Sequence, residues 1–283
     1  MPTRAEQIEI FQDTISWLRG NHTLAAAVQR SSGLSVVYAE GQTPSLPAMD
    51  AETSEGPEIH VTKERSFEAA IRLNRENPGA KIAVHNFASA TNPGGGVTAG
   101  SRAQEECLCR CSTLYPVLAQ PRLMREYYQF HRDQHDVRYT DRCIYSPGIY
   151  IVKSDTAFPE RLPKEEWVEV DVITCAAPNL RPRPNNPMNP GIGTPISLSD
   201  KELLEIHIKR ARHMLSVAAI NKAEILVLGA FGCGAFQNSP KVVARAYQSV
   251  LPEFKGRFKE IVFGVYCSPK DTINYEAFIS ILG

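Results

Sequence analysis

The 283 residues could form one large domain or two small ones, and 43% hydrophobic with 22% charged content is ordinary for a folded globular chain. With 31 basic and 31 acidic residues the net charge is zero, which argues against a general nucleic-acid or membrane-surface binder while leaving room for a local basic pocket. The seven scattered cysteines, an N-terminus without the pattern of a signal peptide, and the absence of any apolar run near ~18 residues predict reduced thiols in a cytoplasmic protein.

In chain order, residues 4–19 pattern as an amphipathic helix with Ile8, Phe11, Ile15 and Leu18 on one face. GLSVVYAEG reads as a short strand, and the Pro-, Ser-, Thr- and Glu-rich residues 41–57 read as an exposed loop. IHVTK is a second strand, Ser66 caps the helix FEAAIRLNREN, and AKIAVHNFAS is a buried strand, which together give a βαβ unit and a mostly parallel sheet. CIYSPGIYIV forms a strand or hairpin, and WVEVDVITCAAP forms a strand. The loop that follows holds Pro182, Pro184, Pro187, Pro190 and Pro195, so no regular element persists there. Ser199 or Asp200 caps the long helix KELLEIHIKRARHMLSVAAINK. After it come the strand EILVLGAFGCGAF, the helix PKVVARAYQSVLPEF, the strand EIVFGVYC and the closing helix TINYEAFISIL. No linker separates two cores, so the expectation is one α/β domain over residues 1–283, of which about 1–60 is an N-terminal helical extension.

Two glycine-rich loops follow strands, NPGGGVTAG and LGAFGCGAFQNSP. In open α/β sheets such strand ends collect ligands, and glycines let backbone N–H groups approach an anion. Either loop could simply turn the chain; two together suit a diphosphate held between them. Between the loops, Gln104, Glu105 and Glu106 open a helix. Acids are common at a helix start, where the dipole lowers their pKa, and that does not suit a general acid unless burial or an anionic ligand raises it again.

Cys107, Cys109 and Cys111 have the wrong spacing for a zinc knuckle and fan out by about 200° per step on a helix, so they read as small helix residues. His85 reads as a satisfied core histidine, His131 and His135 as surface residues, and Arg181 and Arg183 as solvated loop charges.

Three glycines, a spacer from Val97 to Ala103 and then Gln104-Glu105-Glu106, flanked by NFASATNPGGGV and CLCRCSTLY, resemble the signature of the microbial-type poly(ADP-ribose) glycohydrolases, which have the macrodomain fold. The loop ILVLGAFGCGAFQN is similar to that family's diphosphate-binding loop. The resemblance runs over most of the chain, and its specific parts are residues 82–115 and 225–240.

It implies a mixed, mostly parallel sheet between helices and cleavage of the ribose–ribose bond of poly(ADP-ribose). Glu106 would be the general acid and Glu105 would hold ribose hydroxyls, with Gln104 beside them among the substrate-binding residues. Gly94, Gly95, Gly96 and Val97 would wrap the distal ribose and diphosphate, and Asn92 and Asn86 would contact or brace that ribose. Ala230, Phe231, Gly232, Cys233, Gly234 and Ala235 would offer backbone N–H groups to the diphosphate, with Phe236 packed on the ribose. No metal or cofactor is implied; the expected partner is ADP-ribose or its polymer, alone or attached to protein. A mono-ADP-ribosyl hydrolase and a non-catalytic ADP-ribose-binding module remain alternatives at this point.

Overall fold

The computed structural model describes residues 2–47, 56–185 and 191–283. Pro187, Pro190 and residues 48–55 of the expected loop lie outside the described residues.

Two helices, α1 (Arg4–Gly20) and α2 (His22–Leu34), lead into β1 (Val36–Tyr38). Then follow β2 (Glu58–Thr62), α3 (Ser66–Glu76), β3 (Ile82–Phe87), α4 (Gln104–Cys111) and α5 (Leu114–Leu118). Short turns α6 (Pro121–Leu123) and α7 (Phe130–Gln134) flank a wide π-type turn, Met124–Gln129. The remainder is β4 (Cys143–Ile151), β5 (Val168–Cys175), α8 (Asp200–Ile220), β6 (Ile225–Leu228), α9 (Pro240–Val250), β7 (Glu260–Gly264) and α10 (Ile273–Leu282).

The seven strands form one sheet in the order β1-β4-β5-β3-β6-β7-β2. The run from β5 to β2 is parallel, and β4 and β1 add antiparallel at one edge. Central strands bury both faces, which is why they read as unbroken apolar runs. Val84, Val172 and Val227 enter the core beneath α3 and α4, while their neighbours Ala83, Ile173 and Leu226 enter the core beneath α8 and α9.

Local chemistry explains most boundaries. Thr3 and Glu6 close a capping box on α1, and Ser199 and Glu202 close one on α8. Ser66 is not the cap of α3: Arg65 holds that position, and the Ser66 hydroxyl instead accepts a hydrogen bond from Gln104. CIYSPGIYIV is one strand and no hairpin. Its register shifts at Pro147, which cannot donate to the ladder, and Gly148 takes φ +71° there. α2 buries only Leu24, Ala27 and Ser31, a stripe too weak to mark a helix in the sequence.

Candidate active site

Parallel strands β3, β5, β6 and β7 end at the same edge of the sheet. A cavity of about 870 Å³ opens there, between the loop after β3, the loop after β6 and the residues following β7. Its size is that of a nucleotide-class ligand site.

Gln104 pins the first turn of α4 to the end of β3. Its Oε1 accepts from Phe87 N at 2.9 Å, and its Nε2 donates to His85 O at 2.7 Å and Ser66 Oγ at 3.0 Å. Gln104 borders the cavity, but its amide is fully engaged within the protein. This clamp brings the next two side chains over the strand end.

Glu105 is 2% exposed. Its Oε1 accepts from Asn86 Nδ2 at 3.2 Å and its Oε2 from Ser89 N at 2.7 Å. Glu106 is 7% exposed; its Oε1 accepts from Gly96 N at 2.8 Å, and its buried Oε2 has no hydrogen-bond partner among the described residues. Burial outweighs the helix dipole at both positions. Desolvation, with the neighbouring Glu106 charge second, pushes Glu105 up to about 8, and desolvation also raises Glu106 above its ordinary value.

The first glycine loop holds these carboxyls more than it offers itself to a ligand. Gly94 N–H is directed at Glu105, Gly95 N donates to Asn92 O, Gly96 N to Glu106, and Val97 N to Gly94 O. Gly95 sits at φ +56°, and a β-carbon there would stand 2.5 Å from Glu106 Oε1 and 3.0 Å from Glu105 Oε2. Glycine is needed at this position because the two acids occupy its side-chain space.

The second loop is built the opposite way. Phe231 N and Cys233 N close internal turns on Gly229 O and Ala230 O, whereas the N–H groups of Gly232, Gly234, Ala235 and Phe236 make no such bond among the described residues. Buried Asn238 braces the loop from below, donating to the carbonyls of Pro178, Gly232 and Phe236 and pairing its Oδ1 with His207 Nε2 at 2.8 Å. Gly232, at φ +76°, packs where a β-carbon would collide with Ala177. The result is a preformed row of donors facing the cavity.

Of the residues singled out in the sequence, Asn92, Gly95, Gly96, Gln104, Glu105, Glu106, Ala230, Gly232, Gly234, Ala235 and Phe236 border the cavity. Gly94, Val97, Phe231, Cys233 and Asn86 do not border it. Val97 and Phe231 are core residues, and Cys233 Sγ points back to Phe231 O. Asn86, expected to contact or brace the ribose, is fully buried and donates to Glu105 Oε1.

Other expectations are corrected as well. Arg181 is no free loop charge: it borders the cavity, stacks 5.4 Å from the Phe236 ring centroid and donates to Asn179 Oδ1. His85 is a core residue but not a satisfied one, since neither ring nitrogen has a hydrogen-bond partner among the described residues and burial lowers it to about 3. His131 is buried, bonded to Tyr127 O and Thr140 Oγ1. Tyr139, Ile192, Val265 and Tyr266 also border the cavity; scattered over separate elements, they left no sequence signal.

Residues 6–154 match the family described as microbial-type PARG, catalytic domain. Among solved structures, the chain resembles poly(ADP-ribose) glycohydrolase from Thermomonospora curvata at 31% identity and TM-score 0.81, covering 98% of this chain and 99% of that one. The same enzyme bound to the inhibitor ADP-HPD matches at 32% identity and TM-score 0.78, over 97% and 98% of the two chains. Poly(ADP-ribose) glycohydrolase from Deinococcus radiodurans in complex with ADP-ribose matches at 34% identity and TM-score 0.72, over 89% and 96%. No curated protein gives a significant match.

Proposed function

The chain belongs to the microbial-type poly(ADP-ribose) glycohydrolase family, and from that premise we propose how its residues cleave the ribose–ribose bond of poly(ADP-ribose). The observation that carries the assignment of roles is the unpaired, buried Oε2 of Glu106, beside a carboxyl neighbour whose two oxygens are both engaged.

The diphosphate lies on the free N–H groups of the second loop, and the distal ribose lies between Phe236 and the glutamates. Glu106, whose pKa burial raises, passes its proton to the leaving ribose oxygen as the glycosidic bond breaks. Positive charge grows on the anomeric carbon, and the adjacent diphosphate stabilises it. Water attacks that carbon, and Glu106 takes back a proton, so ADP-ribose leaves and the acid is regenerated. Glu105 accepts from the ribose hydroxyls and fixes the sugar. Adjacent glutamates on one helix cannot flank a sugar from opposite faces, so one carboxyl serves as acid and then as base.

The seven cysteines are all free, which supports a reducing, cytoplasmic setting. Among the described residues no helix is long and apolar enough to cross a membrane. We read residues 1–283 as one catalytic domain whose first 60 or so residues form the extension, since α2 and β1 pack onto the β4 edge of the same sheet.

Glu106→Gln tests the assignment. It keeps the acceptor for Gly96 N–H but carries no transferable proton, so it binds ADP-ribose while release from polymer falls about 10²–10⁴-fold. Near-normal release removes Glu106 from the mechanism. Running the wild-type chain in parallel on proteins carrying single ADP-ribose groups separates polymer cleavage from removal of the last unit.

A further inference from the structure

The cavity does not stop at the glutamates. Its lining also takes in Arg4 and Gln7 of α1, Arg102, Arg110 of α4, and Arg65 with Asp155, a side of the cavity we term the N-terminal lobe. Four arginines and, beyond the two glutamates, one carboxylate line this side of the cavity, in a chain of zero net charge. Two of the arginines are tied down within the protein: Arg110 Nη1 donates to Ser101 O, and Arg65 lies 3.8 Å from Asp155 Oδ1. Arg4 and Arg102 are exposed; among the described residues the Arg102 guanidinium donates one weak bond, 3.4 Å to Pro2 O.

Gln7 is the telling residue. It is 3% exposed and borders the lobe, and its side-chain amide has no hydrogen-bond partner among the described residues. Its amide is not among the fully buried unpaired polar groups, so it reaches the cavity and is open to a ligand there. The extension is also held against the acid's own loop, because Gly100 packs where a β-carbon would come 2.5 Å from Arg4 O.

We propose that this lobe, to which the N-terminal extension contributes Arg4 and Gln7, is a second subsite that takes the diphosphate of the ADP-ribose unit joined to the one being released. The proposal rests on the polymer-cleaving reading above and deepens it. A polymer presents a doubly anionic linkage on each side of every scissile bond, and free ADP-ribose presents only its own. Arginines suit phosphate oxygens through paired N–H donors, and the Gln7 amide adds a neutral donor. The lobe therefore recognises polymer over monomer without touching the unit in the site.

The test is the full-length chain carrying Arg4→Ala and Arg102→Ala together, with Gln7→Leu as a second variant and thermal melting as the folding control. Release of ADP-ribose from poly(ADP-ribose) is measured at low and high salt, and binding of free ADP-ribose by calorimetry. Expected is a KM for polymer about fivefold to tenfold higher at low salt, kcat within twofold, an unchanged Kd for ADP-ribose, and a flattened salt dependence. An unchanged KM in both folded variants overturns the subsite. So does a rise in the ADP-ribose Kd equal to the rise in KM, which would place the arginines on the released unit. A wild-type chain that releases nothing from polymer overturns the functional reading itself, and the subsite with it.

Discussion

Gly95→Ala is the sharpest perturbation of the site, because it adds one methyl group and removes no functional atom. The new β-carbon would stand 2.5 Å from Glu106 Oε1 and 3.0 Å from Glu105 Oε2, both inside ordinary contact. The acid must retreat by roughly 1 Å, and a misplacement of that size costs about 100-fold in rate. Retreat also stretches the 2.8 Å bond from Gly96 N, leaving a buried donor poorly paired at about 1–3 kcal/mol. Backbone strain at φ +56° adds about 1–2 kcal/mol to the cost of folding. Gly79→Ala is the control: it sits at φ +85° with nothing near its β-carbon, so it carries the strain without the collision. The assay is single-turnover release of ADP-ribose from polymer, with calorimetric binding of ADP-ribose alongside. Expected for Gly95→Ala is a kcat lower by about 100-fold or more and ADP-ribose affinity changed less than tenfold, while Gly79→Ala loses stability alone. A Gly95→Ala rate within threefold of wild type would refute the claim that this glycine exists to seat the acids.

Glu105→Gln should change stability in a pH-dependent way. The Glu105 carboxyl titrates near 8 in the folded chain against about 4.5 when unfolded, so its neutral form favours folding at low pH and that contribution is lost as pH rises from about 4.5 through 8. The melting temperature of Glu105→Gln relative to wild type should therefore be higher at pH 8.5 than at pH 5, and a difference that is flat or inverted counts against the buried, proton-holding pair. Gly232→Ala meets the Ala177 side chain and stands 2.9 Å from Asn238 Nδ2 at φ +76°, so it should destabilise by about 2 kcal/mol or more and weaken ADP-ribose binding. Calorimetry showing wild-type affinity in that variant would remove the second loop from the diphosphate site.

What the sequence discloses follows from which forces act locally. The central strands are legible because both faces are buried and the residues are apolar throughout, as in Ile82–Phe87. The glycine loops are legible because positive φ excludes most other residues, and the acid pair is legible from its spacing. Accounting for individual N–H groups is not local. NPGGG and GAFGCG look alike as strings, yet the first directs its donors into the protein, while the second and the residues just after it leave the N–H groups of Gly232, Gly234, Ala235 and Phe236 without a partner among the described residues. Arg181 is hidden for a similar reason: nothing in LRPRP says that the chain returns it to the Phe236 ring. His131 escapes because the wide turn at Met124–Gln129 rotates its face inward, which helical periodicity does not anticipate.

The two loops thus divide the task between them. A glycosidic bond breaking through a cationic state needs an acid that keeps its proton at neutral pH and an anion close to the developing charge. In the proposed mechanism the second loop supplies the anion indirectly, by holding the substrate's own diphosphate on the four N–H groups that have no partner among the described residues. The first loop supplies the acid's surroundings: glycine backbone packs close to Glu105 and Glu106, and the Gly96 N–H engages one oxygen of Glu106 while the other has no partner among the described residues. Adjacent positions on a helix point about 100° apart, so two neighbouring glutamates meet different partners although they share one desolvated space. Each resists ionisation of the other, and a bound diphosphate adds to that resistance. Substrate binding therefore strengthens the acid's hold on its proton until the bond to the leaving oxygen begins to break, which ties proton transfer to the correctly seated substrate.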